Sequence, residues 1–269
     1  MTVIPIEGST RLMGIIGDPI AQARTPEAIN PLFARMNAGI VCVPLHVPIT
    51  ELETIWAGLK ALPNLVGFGI TLPHKQSALA LCDRLDPLAE LVGAVNVVRR
   101  EADGAFCGYQ FDGRGFVGGL VKQGIKPKGR SVTMIGAGGA AMAIAAELVL
   151  AGVSRLTIVN RTRHKAEALA TRINEAFGAG RVTAATAATP QPDEIWINAT
   201  SLGMKPDDPL PISPDALQAG MTVAEVIAKP ETTRLLEHAE RLGCRTHSGL
   251  HMIHGQVGAI AAHLAETGA

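Results

Sequence analysis

The sequence predicts an α/β protein of two domains, and three features of the chain support this fold class. Short β-rich runs alternate with segments of helical periodicity along most of the 269 residues. Residues 132–159 contain a strand, a glycine turn, a helix and a second strand in succession. Residues 249–266 form a long apolar helix that we expect to return to the first domain. Alternation of this kind implies parallel or mixed sheets with ligand sites at strand ends.

The first part of the chain has four β-rich runs separated by helical segments. The predicted strands are residues 13–16, 41–47, 66–72 and 93–98, and the predicted helices include residues 49–62 and 77–85. Another helix is predicted to begin at Thr25, with Thr25 as N-cap and Pro26 at the first helical position. Residues 17–26 form a loop of fixed shape before it, because two prolines and a glycine exclude regular structure.

The second part of the chain repeats this alternation with different spacing. Its predicted strands are residues 132–135, 156–159, 194–198 and 221–228, and its predicted helices are residues 116–123, 165–177, 233–242 and 249–266. We therefore predict a domain of residues 1–112 plus 243–269, and a second domain of residues 113–242.

Composition and charge exclude several functional classes. The counts of Lys+Arg and Asp+Glu are both 24, so no net charge favours nucleic acid or acidic membranes as partners. No apolar run is long enough for a membrane span, and charged residues interrupt the N-terminal stretch where a signal peptide would lie. The four cysteines are scattered and form no C-x-x-C pair, which favours free thiols in a reducing compartment. We expect a soluble, cytoplasmic protein.

The glycine turn predicts a dinucleotide-binding site in a Rossmann-like domain. Its residues are Gly136, Ala137, Gly138, Gly139, Ala140 and Ala141, and they match the G-x-G-x-x-G/A pattern between a strand and a helix. Gly136 permits the tight turn, Gly138 lets the backbone approach a pyrophosphate, and Ala141 lets helix and sheet pack closely. The N-terminus of the helix offers free N–H groups and a partial positive charge to phosphates.

The end of the second strand indicates NADP rather than NAD. A site for NAD usually has Asp or Glu there to bind the ribose 2′-hydroxyl. This chain has Arg161 and Lys165 in that segment and no carboxylate before Glu167. The two cations could hold a 2′-phosphate, which a carboxylate would repel. The alternative is that Arg161, Arg163 and Lys165 are only the solvated basic start of the next helix.

Lys75 and Asp112 are the candidate catalytic residues. Lys75 follows a strand and a proline, which fix it at a sheet edge, and Asp112 lies between glycines in a turn. Reduction of a ketone by hydride produces an alkoxide that needs a proton donor, and a Lys–Asp pair can orient and relay that proton. Taken singly, each has a simpler interpretation, as a solvated surface lysine and as a turn-forming aspartate.

Three histidines near the C-terminus have a spacing that could place them on one helical face. They are His247, His251 and His254, but no nearby cysteine or carboxylate completes a metal site. A partly exposed helix face is the favoured interpretation, and no metal is expected.

Eight stretches, spread in order over nearly the whole chain, match the motifs of one known family: GDPIAQARTP, GITLPHK, GAVN, GYQFDGRG, IGAGGAA, NRTRHKA, NATSLGM and GLHMIHGQ. On these stretches the sequence resembles the shikimate dehydrogenase family, which includes quinate/shikimate dehydrogenases. The resemblance implies an N-terminal α/β substrate domain, a Rossmann-like NADP domain and a C-terminal helix that returns to the first. It also implies a role in aromatic amino acid biosynthesis, in the chorismate pathway.

The resemblance assigns roles to individual residues. It implies that Lys75 and Asp112 are catalytic, and that Ala23, Thr25, Asn96 and Gln256 stand at substrate-binding positions. The implied NADP site consists of Gly136, Ala137, Gly138, Gly139, Ala140, Asn160, Arg161, Thr162 and Lys165. Thr200, in the stretch 198–204, is implied to lie beside the cofactor, and Gly249 near its nicotinamide.

The sequence departs from the family pattern in three stretches expected on the substrate side. Two serines that bind the shikimate carboxylate in the family are replaced by Ala23 and Thr25. A lost hydrogen bond to a charged group is worth about 1.5–3 kcal/mol, or about one to two orders of magnitude in affinity. Arg24 would compensate if it points inward. Phe111 would place a bulky ring beside Asp112, and Ala228 stands where the family has a tyrosine.

The expected function is NADP-dependent interconversion of 3-dehydroshikimate and shikimate, or of a close cyclic hydroxy acid. One alternative is a related enzyme with a different substrate, such as quinate or an aminoshikimate-type analogue. A second alternative is a non-catalytic NADP-binding regulator. The expected partner is a small molecule, with neither nucleic acid nor membrane, and the protein is expected to be a monomer or a homodimer.

Overall fold

The computed structural model describes residues 6–178, 180–187 and 194–266, and it confirms the α/β fold class. The chain divides into two compact units, one of Met1–Phe111 with Gln256–Ala269 and the other of Asp112–Gly255. Each unit contains one six-stranded sheet. No helix in the described part of the chain combines the length and the apolar character needed to cross a membrane.

The first unit is built on a mixed sheet. Its strands are β1 Arg11–Gly17, β2 Ile40–His46, β3 Leu65–Ile70, β4 Arg84–Leu85, β5 Val97–Arg100 and β6 Phe106–Tyr109. Its helices are α1 Thr25–Arg35, α2 Leu52–Lys60 and α3 Pro87–Val92, with 3₁₀ turns at Ile49–Glu51 and Ser77–Leu81. The strand order is β2-β1-β3-β5-β6-β4, and β5 runs antiparallel to both β3 and β6.

This topology gathers polar segments at one edge of the first sheet. β1, β2 and β3 are parallel, so the loops that follow them leave at the same edge. Because β5 is antiparallel to β3, the residue that precedes β5, Asn96, lies at this edge as well, and its carbonyl accepts a hydrogen bond from the N–H of Ile70 at 2.8 Å. The register of Val97 opposite Tyr109 brings the end of β6 to the same place.

The aromatic residues are few and most of them are concentrated in the core of the first unit. Trp56, Phe68 and Phe106 pack edge to face, with ring centroids 5.0–5.8 Å apart. The other side of the sheet packs on α1 through Ile29 and Phe33. Each of these aromatic side chains buries a large apolar area, so it contributes more stability per residue than the alanines that are common in the rest of the chain.

The second unit is a doubly wound parallel sheet. Its strands are β7 Ser131–Ile135, β8 Arg155–Val159, β9 Val182–Ala185, β10 Ile195–Asn198, β11 Thr222–Glu225 and β12 Arg245–His247. Its helices are α4 Asp112–Lys122, α5 Gly139–Leu150, α6 Arg163–Phe177, α7 Arg234–Arg241 and the first part of α8 Gly249–Ala265. The order is β12-β11-β10-β7-β8-β9, so the winding direction reverses between β7 and β10. In such sheets ligands bind at the carboxyl ends of the strands where this reversal occurs.

Glycines allow three helices of the second unit to approach closely. A Cβ added at Gly113 of α4 would lie 2.1 Å from the carbonyl oxygen of Ala143 in α5. A Cβ added at Gly255 of α8 would lie 2.0 Å from the carbonyl oxygen of Gly115. Side chains at these positions would separate the helices, so the glycines fix α4, which begins at Asp112, between α5 and α8.

The structure differs from the sequence-based boundaries at several points. The N-cap of α1 is Arg24 rather than Thr25, which is the first residue of the helix. Residues 77–85 are not one helix, because the backbone becomes extended at Cys82 and β4 follows. Residues 243–255 group with the second unit rather than the first, because β12 pairs with β11.

Candidate active site

The glycine turn has the geometry of an anion-binding site. Gly136 has φ +118°, and a Cβ there would lie 2.8 Å from the carbonyl oxygen of Ala199. By contrast, no atom of the described residues lies within 4 Å of the Cβ position of Gly138, so its backbone is open to a ligand. Gly138 is the N-cap of α5 and contributes no capping side chain, which leaves the first N–H groups of the helix free to bind phosphate.

A second positively charged element lies at the end of β8. The side-chain amide of Asn160 donates to the carbonyl of Thr162 at 2.9 Å and shapes the turn into α6. Thr162 caps α6 without a side-chain hydrogen bond, and the first turn contains no acidic residue. Arg161 and Lys165 are exposed and form no ion pair within the described residues, whereas Arg163 pairs with Glu167 at 2.7 Å. Two cations are therefore available for a phosphate.

The loop after β10 is locked by side-chain hydrogen bonds. Asn198 Oδ1 accepts from the hydroxyl of Thr200 at 2.6 Å and from its N–H at 3.1 Å. Asn198 Nδ2 donates to the carbonyl of Leu202 and to the carboxylate of Glu225, both at 3.0 Å. The N–H of Ala199 continues the sheet by donating to Ile135 at 2.8 Å. These bonds fix the peptide that packs against Gly136.

Gly249 has a structural requirement of its own. A Cβ at this position would lie 2.4 Å from the carbonyl oxygen of Val226, and the Gly249 N–H donates to the carbonyl of Ile227 at 2.9 Å. Only glycine permits the start of α8 to lie this close to the segment after β11. The segment leads to Ala228, which is half-buried.

The substrate loop of the first unit presents little polarity at Ala23. Ala23 is half-buried and packs against the core cluster that includes Ile29 and Phe33. Arg24 is exposed and pairs with Glu27 on the protein surface, so it does not point inward to replace a hydroxyl at position 23. Thr25 is half-buried at the start of α1.

Lys75 is held at the polar edge of the first sheet by its backbone. Its carbonyl accepts from the N–H of Val95 at 2.9 Å, next to Asn96, and its side chain is half-buried. The preceding residue, His74, is fully buried, and its Nε2 donates to the carbonyl of Val47 at 2.7 Å. The anchored histidine restricts the position from which Lys75 extends.

Asn96 connects two other segments of this edge. Its Oδ1 accepts from the N–H of Phe111 at 2.7 Å, and its Nδ2 donates to Gln256 Oε1 at 3.0 Å. The sequence places Asn96 and Gln256 160 positions apart, and the structure brings them into contact. The predicted pair of hydroxyl-binding side chains is therefore a contiguous polar surface.

Phe111 and Asp112 are both buried. The Phe111 ring is buried in the core of the first unit, 5.4 Å from the ring of His263 and 6.5 Å from that of Tyr109. The ring packs with apolar side chains of this core, among them Ile260 and Leu264. Asp112 is buried and begins α4.

The structure adds one residue that the sequence analysis missed. Glu225 ends β11 fully buried, with Asn198 and the hydroxyl of Thr233 as donors, and burial raises the pKa of its carboxyl group. The sequence offers only a partial signal, since Asn198 ends the predicted strand 194–198, whereas Glu225 lies inside the predicted strand 221–228 and ends the observed β11.

The C-terminal histidines do not share one helical face. His247 belongs to β12 and is fully buried, while His251 and His254 lie in α8. Among the described residues, no three His, Cys, Asp or Glu side chains come together in a way that could hold a metal ion.

Comparison with known protein families matches both units. The family described as "Shikimate dehydrogenase substrate binding domain" matches residues 15–98, and the family described as "Shikimate / quinate 5-dehydrogenase" matches residues 120–202. A shikimate dehydrogenase (NADP(+)) of Rubrobacter xylanophilus is 41% identical over 251 residues, which cover 90% of this chain and 86% of that protein.

Two solved structures are similar over almost the whole chain. A shikimate dehydrogenase in complex with NADP+ has a TM-score of 0.85 at 33% identity and covers 97% of this chain and 91% of its own. The ligand-free 5-ketofructose reductase of Gluconobacter sp. strain CHM43 has a TM-score of 0.81 at 35% identity, with 96% and 97% covered. With two family matches, a relative above 40% identity and a shared two-domain fold, the chain belongs to the shikimate/quinate dehydrogenase family.

Proposed function

We propose that this protein is an NADP-dependent oxidoreductase that interconverts 3-dehydroshikimate and shikimate, or acts on a close cyclic hydroxy acid. One observation carries the proposal beyond family membership. At one polar edge of the first sheet, the backbone of Lys75 pairs with that of Val95, the neighbour of Asn96, and the side chain of Asn96 contacts Gln256. A hydroxylated ring needs several donors and acceptors at such an edge, together with one group able to move a proton.

The second unit contains the residues suited to hold the dinucleotide. The open backbone at Gly138, with Gly136, Ala137, Gly139 and Ala140, would bind the pyrophosphate at the start of α5. Asn160, Arg161, Thr162 and Lys165 would hold the adenosine ribose and its 2′-phosphate, while Thr200 and Gly249 would lie nearer the nicotinamide. When bound, NADP(H) supplies or accepts the hydride at the ring carbon of the substrate.

In this proposal Lys75 and Asp112 handle the proton. During reduction, the ammonium of Lys75 gives a proton to the carbonyl oxygen as that oxygen becomes an alkoxide, and solvent then restores the ammonium. During oxidation, the uncharged amine takes the proton from the hydroxyl. Asp112, which is buried at the start of α4, would orient the reacting hydroxyl.

The remaining substrate contacts involve Thr25, Asn96 and Gln256. The Oδ1 of Asn96 already accepts from the N–H of Phe111. The amide nitrogen of Asn96, held in a fixed orientation, is therefore the group that would bind a substrate hydroxyl. The Oε1 of Gln256 accepts from Asn96, which orients the side chain, and the amide nitrogen of Gln256 is the group that it would present to the substrate. Thr25 supplies a hydroxyl at the start of α1, where the helix dipole favours a carboxylate.

A different substrate is the second candidate, and Ala23 favours it. Neither Ala23 nor the outward-facing Arg24 offers a donor to a substrate carboxylate. The Gluconobacter protein, with a sequence identity comparable to that of the shikimate dehydrogenase structure, is a 5-ketofructose reductase. Ketofructose has no carboxylate. Under this alternative the same residues reduce a neutral polyhydroxy ketone, whereas quinate or an aminated analogue would keep the carboxylate.

The test is a substrate panel with purified protein. Nicotinamide absorbance would be followed with NADP plus shikimate or quinate, and with NADPH plus 3-dehydroshikimate or 5-ketofructose. Turnover of shikimate with NADP supports the leading proposal. Turnover of 5-ketofructose alone would transfer the function to the second candidate, and binding of NADP without turnover of any substrate would favour a non-catalytic regulator.

The setting proposed for the enzyme follows from the chain as a whole. We assign it to the cytoplasm, because all four cysteines are free thiols and two of them, Cys42 and Cys107, are buried. The balanced charge gives no reason for a nucleic-acid partner. A monomer or a homodimer is proposed as the working form, and light scattering would distinguish them.

A further inference from the structure

Glu225 is a buried carboxyl group that the proposed reaction does not use. It ends β11 with no exposed surface, and its two oxygens accept hydrogen bonds from the hydroxyl of Thr233 and the amide of Asn198. Both donors are neutral, and no salt bridge to Glu225 occurs among the described residues. Burial of a carboxyl group costs free energy unless hydrogen bonds to the surrounding groups compensate for the lost hydration.

The hydrogen bonds of Glu225 continue to the glycine turn through Asn198. Glu225 holds the Asn198 amide, whose oxygen accepts both the hydroxyl and the N–H of Thr200. The peptide between Ala199 and Thr200 packs directly on Gly136, where even a Cβ would be only 2.8 Å from the Ala199 oxygen. The chain of contacts therefore runs from Glu225 through one side chain to the turn.

The other oxygen of Glu225 fixes the carboxyl group itself. Thr233, the donor to this oxygen, is the N-cap of α7, and its hydroxyl also accepts from the N–H of Leu236 at 3.3 Å. The carboxyl group is thus held between a helix start and the loop after β10. Rotation of Glu225 would break a bond at one side or the other.

We propose that Glu225 is a positioning residue for the dinucleotide site. Through Asn198, Glu225 holds the loop that contains Thr200 against the glycine turn. The inference rests on the proposed function, because it takes Thr200 and Gly136 as parts of the NADP site. Glu225 touches neither cofactor nor substrate in this account. Its loss should weaken the apparent binding of NADP and leave the binding of shikimate nearly unchanged.

The experiment compares Glu225→Ala with Glu194→Ala. Glu194 is the matched control, since it is a buried carboxylate at the opposite end of β10, held by Thr133 at 2.8 Å and Trp196 at 2.9 Å. Both variants lose a buried network and should lose stability. Glu225→Ala is expected to raise KM for NADP by about fivefold to tenfold, with KM for shikimate within about twofold of the wild type. Glu194→Ala should change neither KM.

A second pair of variants removes or keeps the hydroxyl at position 233 with smaller changes in volume than Glu225→Ala makes. Thr233→Val removes the hydroxyl that anchors Glu225 and should raise KM for NADP by about twofold to fivefold, whereas Thr233→Ser should restore it. If Glu225→Ala does not fold, this pair decides. An unchanged KM for NADP in a folded Glu225→Ala or Thr233→Val protein would overturn the inference, as would an equal rise in Glu194→Ala.

The wild-type protein separates this inference from the proposed function. If wild-type protein binds no NADP in calorimetry, the proposed function fails and the inference fails with it. If it binds NADP and only the variant comparison gives equal values, the positioning role alone is refuted.

Discussion

The side-chain oxygen of Asn96 accepts a 2.7 Å hydrogen bond from the N–H of Phe111, the residue that immediately precedes Asp112. The same amide group donates to Gln256 at 3.0 Å. One side chain thus fixes both the segment that leads into α4 and a second candidate substrate ligand. The buried ring of Phe111 adds an apolar contact, so one polar and one apolar interaction fix the residue that precedes Asp112.

Replacement of Asn96 should affect both stability and substrate binding. Asn96→Ala leaves the N–H of Phe111 without its acceptor, and we expect a loss of about 1–3 kcal/mol in the free energy of unfolding. KM for shikimate should rise as well. Asn30→Ala is the control, because Asn30 bonds the backbone of Cys42 in the same two-sided way, at 2.9 and 2.7 Å. Urea unfolding and steady-state kinetics would check both, and equal kinetic effects would contradict the account.

Restoring a hydroxyl at position 23 should strengthen binding of a carboxylate substrate. Ala23→Ser adds a donor at a half-buried position, and we expect KM for shikimate to fall by about tenfold. Arg24→Ala should alter KM by less than about twofold, because Arg24 pairs with Glu27 in solvent. No response of KM to Ala23→Ser would show that the carboxylate binds elsewhere or that the substrate lacks one.

Cofactor preference should depend on Arg161 and not on its neighbour Arg163. Arg161→Ala removes a cation without an ion-pair partner among the described residues, so KM for NADP should rise by about tenfold or more while KM for NAD changes little. Arg163 already pairs with Glu167, and Arg163→Ala should leave the NADP/NAD ratio nearly unchanged. A larger effect from Arg163→Ala would mean that the 2′-phosphate binds on the other side of the turn.

Acid stability should depend on His247. Burial, with a smaller contribution from His251, lowers the pKa of His247 from 6.5 to about 3, and neither ring nitrogen has a partner among the described residues. The unfolded chain therefore binds a proton at higher pH than the folded protein does. The contribution of His247 to the free energy of unfolding is fully present above about pH 6.5. It decreases as the pH falls toward 3, by up to about 1.4 kcal/mol per pH unit.

The variant His247→Leu should remove this part of the acid sensitivity. Urea unfolding between pH 7 and pH 4 would measure it, with His164→Leu as control because His164 is exposed on α6. Equal pH dependence in wild type and His247→Leu would exclude the buried imidazole as the cause.

The features predicted correctly from sequence are those whose cause is local. The strand before Gly136 and the helix after it lie within one continuous stretch, so the turn, the open backbone at Gly138 and the buried Ala141 follow from residue type alone. Tertiary contacts decide the rest. Residues 77–85 have helical composition, yet Arg84 and Leu85 pair with β6, a strand more than 20 positions away.

Side-chain networks were the least predictable part of the site. Asn198 and Glu225 lie 27 positions apart and meet only because β10 and β11 are neighbours in register. The ring of Phe111 packs in the core of the first unit, although the residue stands in a glycine-rich stretch of the sequence. Sequence patterns give residue types and periodicity, and neither specifies which buried polar atoms become partners.

The most direct test of the central claim is the rate of NADP reduction by shikimate in the wild type and in Lys75→Ala. We expect measurable turnover in the wild type, a fall in kcat of about 10²–10⁴-fold in Lys75→Ala, and an unchanged KM for NADP. These results would place proton transfer at Lys75 in an intact dinucleotide enzyme. Equal kcat values in the two proteins, or no turnover of shikimate by the wild type at millimolar concentration, would contradict the account.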